Sequence, residues 1–359
     1  MPSFVQIVHK HVIRGFFMTA ASPDSASPSE ASTPDSLTRV QSSAGLVDAV
    51  WTLLPVVASL LALTLHTSLP ARQTSPVSGY YALMLKASLI LALAAAVFQL
   101  FSAAWRRRYR SMAPLIAAAI LLPAVLDLVT LKFALLPLPY FPGPDLIIRS
   151  LWADRGLLVE CVYHSMILLL SGYFAGVLAG LATGILIGWY ATCRYWLMPM
   201  LKTLGPVPAT VWIPLSLVLF PTTWLSGVFL IALAVWFPVS VMTSTGISNV
   251  RIAHLEVART MGAGRRYLVF HVALPSALPD IFIGLFMGLC AAFLTLVVAE
   301  MMGVKAGLGW YVSWAQNWTE YSKVFAAIII ITFFFSGIMT LLFKVRDRVL
   351  FWMKGVIKW

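Results

Sequence analysis

Charge is what this sequence has least of. Only 11% of its 359 residues are Asp, Glu, Lys or Arg, and only 13 are acidic, whereas roughly a quarter of an average soluble domain is charged. An ordinary water-facing surface is therefore excluded. With 60% hydrophobic residues and a mean hydropathy of +0.89, the chain reads as a membrane protein. Cysteine is scarce too: Cys161, Cys193 and Cys290 show neither paired spacing nor a metal-ligand signature, so no disulfide framework and no thiolate metal site is expected. His9, His11, His66, His164, His254 and His271 form no HExxH or other close ligand cluster and read as incidental surface or interface residues. There is no phosphate loop of the Gly-x4-Gly-Lys-Ser/Thr form and no soluble stretch long enough for an ATPase domain. The expectation is a chain that is not an enzyme and holds no metal or cofactor of its own.

What is present is a series of long apolar runs. Eight candidate spans stand out, near 49–68, 80–104, 112–134, 163–189, 199–220, 224–246, 279–301 and 322–344, most of them meeting the ~20 residues a helix needs to cross a bilayer. The run 199–220 is the least regular, because Lys202 and four prolines, Pro199, Pro206, Pro208 and Pro214, disturb it; it is expected to be an inner, irregular span. The formal net charge of +12 follows from orientation. Arg106, Arg107, Arg108 and Arg110, then Arg194, then Arg251, Arg259, Arg265 and Arg266, and finally Lys344, Arg346, Arg348, Lys354 and Lys358 fall on one side if both termini are cytosolic. The positive-inside rule thus accounts for the charge without nucleic acid. Residues 1–45, rich in Ser, Pro and Ala, read as a flexible cytosolic tail.

Three features inside and between the spans carry further information. Gly172, Gly176, Gly180, Gly184 and Gly188 recur every fourth residue; at about 100° per residue they line one face, a groove into which a neighbouring backbone can settle. Gly284 and Gly288 offer a shorter counterpart. Two carboxylates, Asp127 and Glu300, sit within spans and read as candidates for pore or gate positions, with helix packing or a place near the interface as alternatives. Between the sixth and seventh spans lies a basic interruption, "RIAHLEVARTMGAGRRYLVFHVALPSALPDI". Ile252, Leu255 and Ala258 share a helical face, Gly262 and Gly264 permit a change of direction, and a second helical segment runs to Val272. So short an amphipathic helix must rest on something. By its residues alone, that is equally its own helices, the lipid surface or a second protein.

Glu256-x-Ala258, then Gly262, and later Val272-x-Leu274-Pro275 resemble the cytoplasmic coupling signature of permease subunits in bacterial binding-protein-dependent ABC importers. The similarity extends over roughly 112–346, and "LGPVPATVWIPLSLVLF" and "VVAEMMGVKAGLGWYVSWAQ" look like the branch importing nitrate, taurine and aliphatic sulfonates. The resemblance implies an all-α, polytopic transmembrane bundle with a six-helix permease core over 112–346. It implies a cytosolic coupling segment at 251–275, in which Glu256, Ala258, Gly262, Leu274 and Pro275 contact an ATPase. It implies as partners an ABC ATPase dimer binding ATP and Mg, a second permease copy forming a homodimer, a periplasmic or lipid-anchored solute-binding protein, and membrane lipid, in the bacterial inner membrane. The chain departs from the pattern at Val257, where the family usually has Ala, and at Pro221, where it usually has Gly. Residues 46–111, with two additional spans and a basic loop, have no counterpart in the core; 347–359 reads as a cytosolic tail. The competing classes are an ion-coupled secondary transporter, which Asp127 and the proline-rich span would serve, and a structural scaffold.

Overall fold

The computed structural model describes residues 52–73, 79–99 and 103–353. The tail over 1–45, His9, His11, Lys354 and Lys358 lie outside the described residues. Every regular element among the described residues is helical, as hydrocarbon requires of a chain that must satisfy its backbone polar groups within each segment.

The order is α1 (Thr52–Ser68), α2 (Tyr80–Phe98), α3 (Ala103–Asp127, prolonged by a π-helical turn Leu128–Lys132), α4 (Pro144–Ala153) and α5 (Arg155–Trp189). Next come α6 (Ala191–Leu204), α7 (Ile213–Leu219, after a 3-10 turn Ala209–Trp212), α8 (Thr223–Ser248) and α9 (Ile252–Thr260). A helical lead-in, Arg265–Tyr267 and the π-helical Leu268–Ala273, runs into α10 (Leu274–Met302); α11 (Leu308–Asn317) and α12 (Tyr321–Val349) complete the chain. Six helices, α2, α3, α5, α8, α10 with its lead-in, and α12, are long and apolar enough to cross a membrane. The chain is an all-α polytopic membrane protein.

One expectation about the spans needs correction among the described residues: of the two additional N-terminal spans only α2 has spanning length, and α1, described from Thr52, is a shorter apolar helix. The run 199–220 is irregular, as expected: α6 and the 209–219 helix meet at a bend of 86°, which makes the pair a broken span or a re-entrant loop. Pro206 and Pro208 cannot donate to a helical ladder and push the residues before them out of the α region. At the same corner the Phe237 ring of α8 packs so closely on Gly205 that a Cβ there would lie 1.9 Å from a ring carbon.

The core is built around α8. Leu168 and Leu169 of α5, Ile231, Val235 and Val239 of α8, and Leu289, Ala292, Phe293 and Leu296 of α10 form one buried cluster. A second joins α5, α11 and α12 through Leu158, Cys161, Tyr311, Val312 and Ala327. A third, smaller one holds α1, α2 and α3 together through Ala62, Tyr81, Leu85 and Ala124.

Candidate functional site

The segment between α8 and α10 turns on one glycine. At the end of α9 the Gly262 amide donates to the Arg259 carbonyl (2.9 Å) and the Ala263 amide to that of Ala258 (3.0 Å), while Gly262 has φ +86°. This is the pair of bonds of a Schellman motif, whose left-handed position favours a residue without Cβ. Gly264, by contrast, has φ −73° and a conformation open to any residue. Just before α10 the Leu274 amide reaches back five residues to Val269, and Pro275, having no N–H, leaves the usual bond to His271 unmade; the turn opens into π-helical form.

Among the described residues much of the apolar surface of α9 is left uncovered. No residue of α9 is buried, and Ile252, Val257 and Met261 are 70%, 60% and 83% exposed; Glu256 is exposed, and Leu255 and Ala258 are half-buried. The lead-in behaves differently: Leu268, Val269 and Ala273 are buried. Ala273, with Leu274 packed beside it, joins Ile247 at the end of α8 and Ala277 and Ile281 of α10. Arg194, on α6, binds the same corner, donating to the Ile187 and Gly188 carbonyls at the end of α5 and to Ser248 Oγ at the end of α8, all at 3.0 Å. A cation there answers the orphan carbonyls and negative pole of a helix C-terminus.

From this corner α5 and α8 run in register. A Cβ on Gly172 would lie 2.6 Å from Ile231 Cβ, on Gly176 2.6 Å from the Ala232 carbonyl oxygen, on Gly180 2.7 Å from Val239, on Gly184 2.5 Å from Thr243, and on Gly188 2.8 Å from Ile247. On an adjoining face of α8, Gly284 and Gly288 of α10 meet Met242, Pro238, Val235 and Val239, the last two of which also pack on α5. Polar pairs stitch the first seam: Thr183 Oγ1 and Ser240 Oγ lie 2.6 Å apart, and Trp236 Nε1 donates to Thr183 Oγ1 at 3.1 Å.

Glu300, near the far end of α10, is 1% exposed. Ser165 Oγ of α5 donates to its Oε1 (2.6 Å), the Gly309 amide donates to its Oε2 (2.8 Å), and the Leu308 amide donates to Ser165 Oγ (2.9 Å). The carboxylate thus sits at the N-terminus of α11, where backbone donors and the helix dipole favour an anion, and fastens the 303–309 loop to α5 and α10. Nearby, Tyr311 donates to Asp154 (2.7 Å), and Lys323 lies 3.4 Å from Asp154 and 2.7 Å from Glu320. Burial first, and the Asp154 hydrogen bond next, push the Tyr311 hydroxyl well above its usual range, so it remains a donor. Asp127 is elsewhere: its Oδ2 lies 2.9 Å from Nδ1 of His66 on α1, beside Lys132, whose Nζ donates to the His66 and Leu69 carbonyls.

The family described as the binding-protein-dependent transport system inner membrane component matches residues 172–351. This chain belongs to that family. It is accordingly a transport component and not a catalytic subunit. It is similar to the aliphatic sulfonates transport permease protein of Bacillus subtilis, 37% identical over 159 residues that cover 44% of this chain and 58% of the relative. It is also similar to the taurine transport system permease protein of Escherichia coli, 31% identical over 199 residues covering 54% and 72%, and to the nitrate import permease protein of Leptolyngbya laminosa, 32% identical over 189 residues covering 52% and 67%. The chain thus spans 58 to 72% of these relatives' lengths. The family match takes in the glycine seam, the Schellman turn and Glu300, and leaves out Asp127, His66 and Ser165. Among the described residues no group of His, Cys, Asp and Glu is arranged to hold a metal, and the three cysteines are free. Sequence reading took Arg194 only as a marker of orientation and missed Ser165, since an isolated polar residue has no periodic signal; it also missed the seam's hydroxyl pairs.

Proposed function

We propose that this chain is the membrane permease subunit of an ATP-driven importer for a small anion of the nitrate, taurine or aliphatic sulfonate kind. The observation that carries the reading is α9: a short helix between two long membrane helices, with Ile252, Val257 and Met261 uncovered and its exit fixed by Gly262. An apolar face of this kind, rimmed by Glu256, Arg259, Arg265 and Arg266, suits a cleft in a second protein. On this reading the partner is an ATPase dimer that binds ATP and Mg, Glu256, Ala258 and Gly262 belong to the docked helix, and Leu274 and Pro275 carry its motion into α10. Both termini and segment 251–275 lie in the cytosol of a bacterium, residues 112–346 form the permease core, and 1–45 and 347–359 are tails. Residues 46–111 supply one full additional span with α1 beside it. A second permease copy completes the pore, and a periplasmic or lipid-anchored binding protein delivers the solute. The relatives' names, for sulfonate, taurine and nitrate transport, support the substrate class.

The packing supports a way to transmit the motion. The lead-in is continuous with α10 and rests on Ile247 at the end of α8, and α8 packs against glycine-lined helices on two adjoining faces. A pull on α9 therefore moves α5, α8 and α10 as a block, since packed cores shift between discrete arrangements instead of stretching. At the opposite end Glu300 holds the 303–309 loop to two of those helices, which makes that loop the candidate gate. Asp127, paired to His66, serves to attach α1.

Proteoliposomes containing this chain with its co-purifying ATPase and binding protein test the proposal. Uptake of nitrate, taurine or an alkanesulfonate is expected to require ATP, and Gly262→Val is expected to uncouple uptake from hydrolysis. Uptake driven by a proton gradient without ATP, transport of none of the three, or a Gly262→Val complex with full uptake would overturn it.

A further inference from the structure

The break between α6 and α7 lies deep within the helical bundle. Near one end of α6 Arg194 donates to Ser248, the last residue of α8; just past the other end Gly205 meets Phe237 of α8. Eleven positions separate Arg194 from Gly205 and eleven separate Phe237 from Ser248, so α6 runs antiparallel to α8 and in step with it. Lys202 is thereby level with Ser240, about 7 Å from the midpoint of the 26-residue α8. With ~30 Å of hydrocarbon centred on α8, the Lys202 backbone lies about 8 Å inside the boundary, farther than the ~6 Å that its four-carbon stem can reach.

Two observations single out this place. Lys202 is exposed, yet among the described residues it has no hydrogen bond or ion pair, and no Asp or Glu occurs between Glu160 and Glu256. Helices α6, α7 and α8 thus offer no counter-charge to a cation that is expensive at this depth. Independently, Pro206 has no N–H with which to satisfy the Lys202 carbonyl, and Pro206, Val207 and Pro208 are exposed. Irregular backbone at membrane depth is tolerated only where protein buries it or where it lines a water-filled space.

We propose that Lys202 binds the transported anion where this helix is broken. On the transport reading, on which the assignment rests, the solute is a small oxyanion, nitrate or the sulfonate head of taurine or an alkanesulfonate. It brings the negative charge that the fold withholds. An ammonium donates in three directions from a flexible stem, which suits oxyanions of different shape. A single such contact also lets the anion leave, as passage requires. A dry seal formed by a second copy fits less well, because its α6, α7 and α8 bring no carboxylate either and would leave two cations uncompensated.

Labelling and uptake together test the assignment in proteoliposomes of the full chain with its co-purifying ATPase and binding protein. Cys161, Cys193 and Cys290 are first replaced by Ala. In that chain Lys202→Cys is expected to react with 2-sulfonatoethyl methanethiosulfonate, supplied on both faces, at least ~tenfold faster than Leu91→Cys, because the reactive thiolate forms in water and not in hydrocarbon; Leu91 is 69% exposed on the apolar α2. With the native cysteines, Lys202→Gln is expected to lower the maximal rate of ATP-driven uptake at least ~tenfold, the worth of one hydrogen bond to a charged group, and Lys202→Arg to restore most of it. Labelling no faster than at Leu91, or full uptake by Lys202→Gln, would overturn the proposal, the second even if the cysteine-free chain fails to fold. Labelling requires no transport. A wild-type chain that imports none of the three anions therefore refutes the transport reading itself, whereas slow labelling in a chain that imports them refutes Lys202 alone.

Discussion

The seam between α5 and α8 lends itself to a quantitative test at Gly176. A Cβ added there would lie 2.6 Å from the Ala232 carbonyl oxygen and 3.0 Å from Ala232 Cα. Both are backbone atoms, so no rotamer change makes room and the two helices must separate by about 0.5–1 Å. Overpacking of this order costs about 1–3 kcal/mol. Replacing glycine inside a helix by alanine also returns up to about 1 kcal/mol of backbone propensity, which would mask part of the loss. Gly337, inside α12, has nothing within 4 Å of its added Cβ, so Gly337→Ala carries the propensity gain alone. The difference between the two variants therefore isolates the contact.

At roughly 2 to 4 °C per kcal/mol for a large domain, Gly176→Ala is expected to unfold several degrees below Gly337→Ala when the purified full chain is heated in detergent and followed by tryptophan fluorescence. Because heating of such a chain is seldom reversible, the comparison is made at one scan rate. Should Gly176→Ala match or exceed Gly337→Ala, the close approach of α5 and α8 would be refuted, and with it the idea that these helices move as a block.

Three further outcomes are expected. Glu300→Gln replaces an acceptor facing two donors, Ser165 Oγ–H and Gly309 N–H, by a group that can accept at only one oxygen; a loss of about 1–3 kcal/mol should appear as faster hydrogen exchange of the Leu308 and Gly309 amides, and unchanged exchange would contradict it. Gly262→Ala places a Cβ on a residue with φ +86° at a cost of about 1–2 kcal/mol, whereas Gly264→Ala costs nothing comparable; ATPase-stimulated uptake should fall in the first and hold in the second, and equal effects would sink the Schellman assignment. His66→Ala removes the side-chain partner of Asp127, whose residue is 2% exposed. Losing a hydrogen bond to a charged group costs about 1.5–3 kcal/mol, so protease cleavage near α1 should rise; protection equal to the wild type would show that the pair does not attach this helix.

The seam was legible because glycine has a periodic signature. Five residues at four-residue spacing define a face whatever lies opposite, but the sequence could not say that α8 is the partner, because that depends on which of several apolar helices returns to the groove. The interruption at 251–275 was legible as a helix, a turn and a second helix. Assigning the turn to Gly262 and not Gly264 required backbone dihedrals, since both glycines permit what only one of them does. Hydropathy gave neither the described length of α1 nor the angle within 199–220: it measures how apolar a run is, not where it ends or bends, and the prolines announced an irregularity whose 86° bend, with Phe237 packed on Gly205, only the fold supplies. Glu300 was visible as a buried charge, while its meaning lay in Ser165 and Gly309. Ser165 is 135 positions away on α5, so no local pattern links it to Glu300, and only the fold brings the donor to the carboxylate.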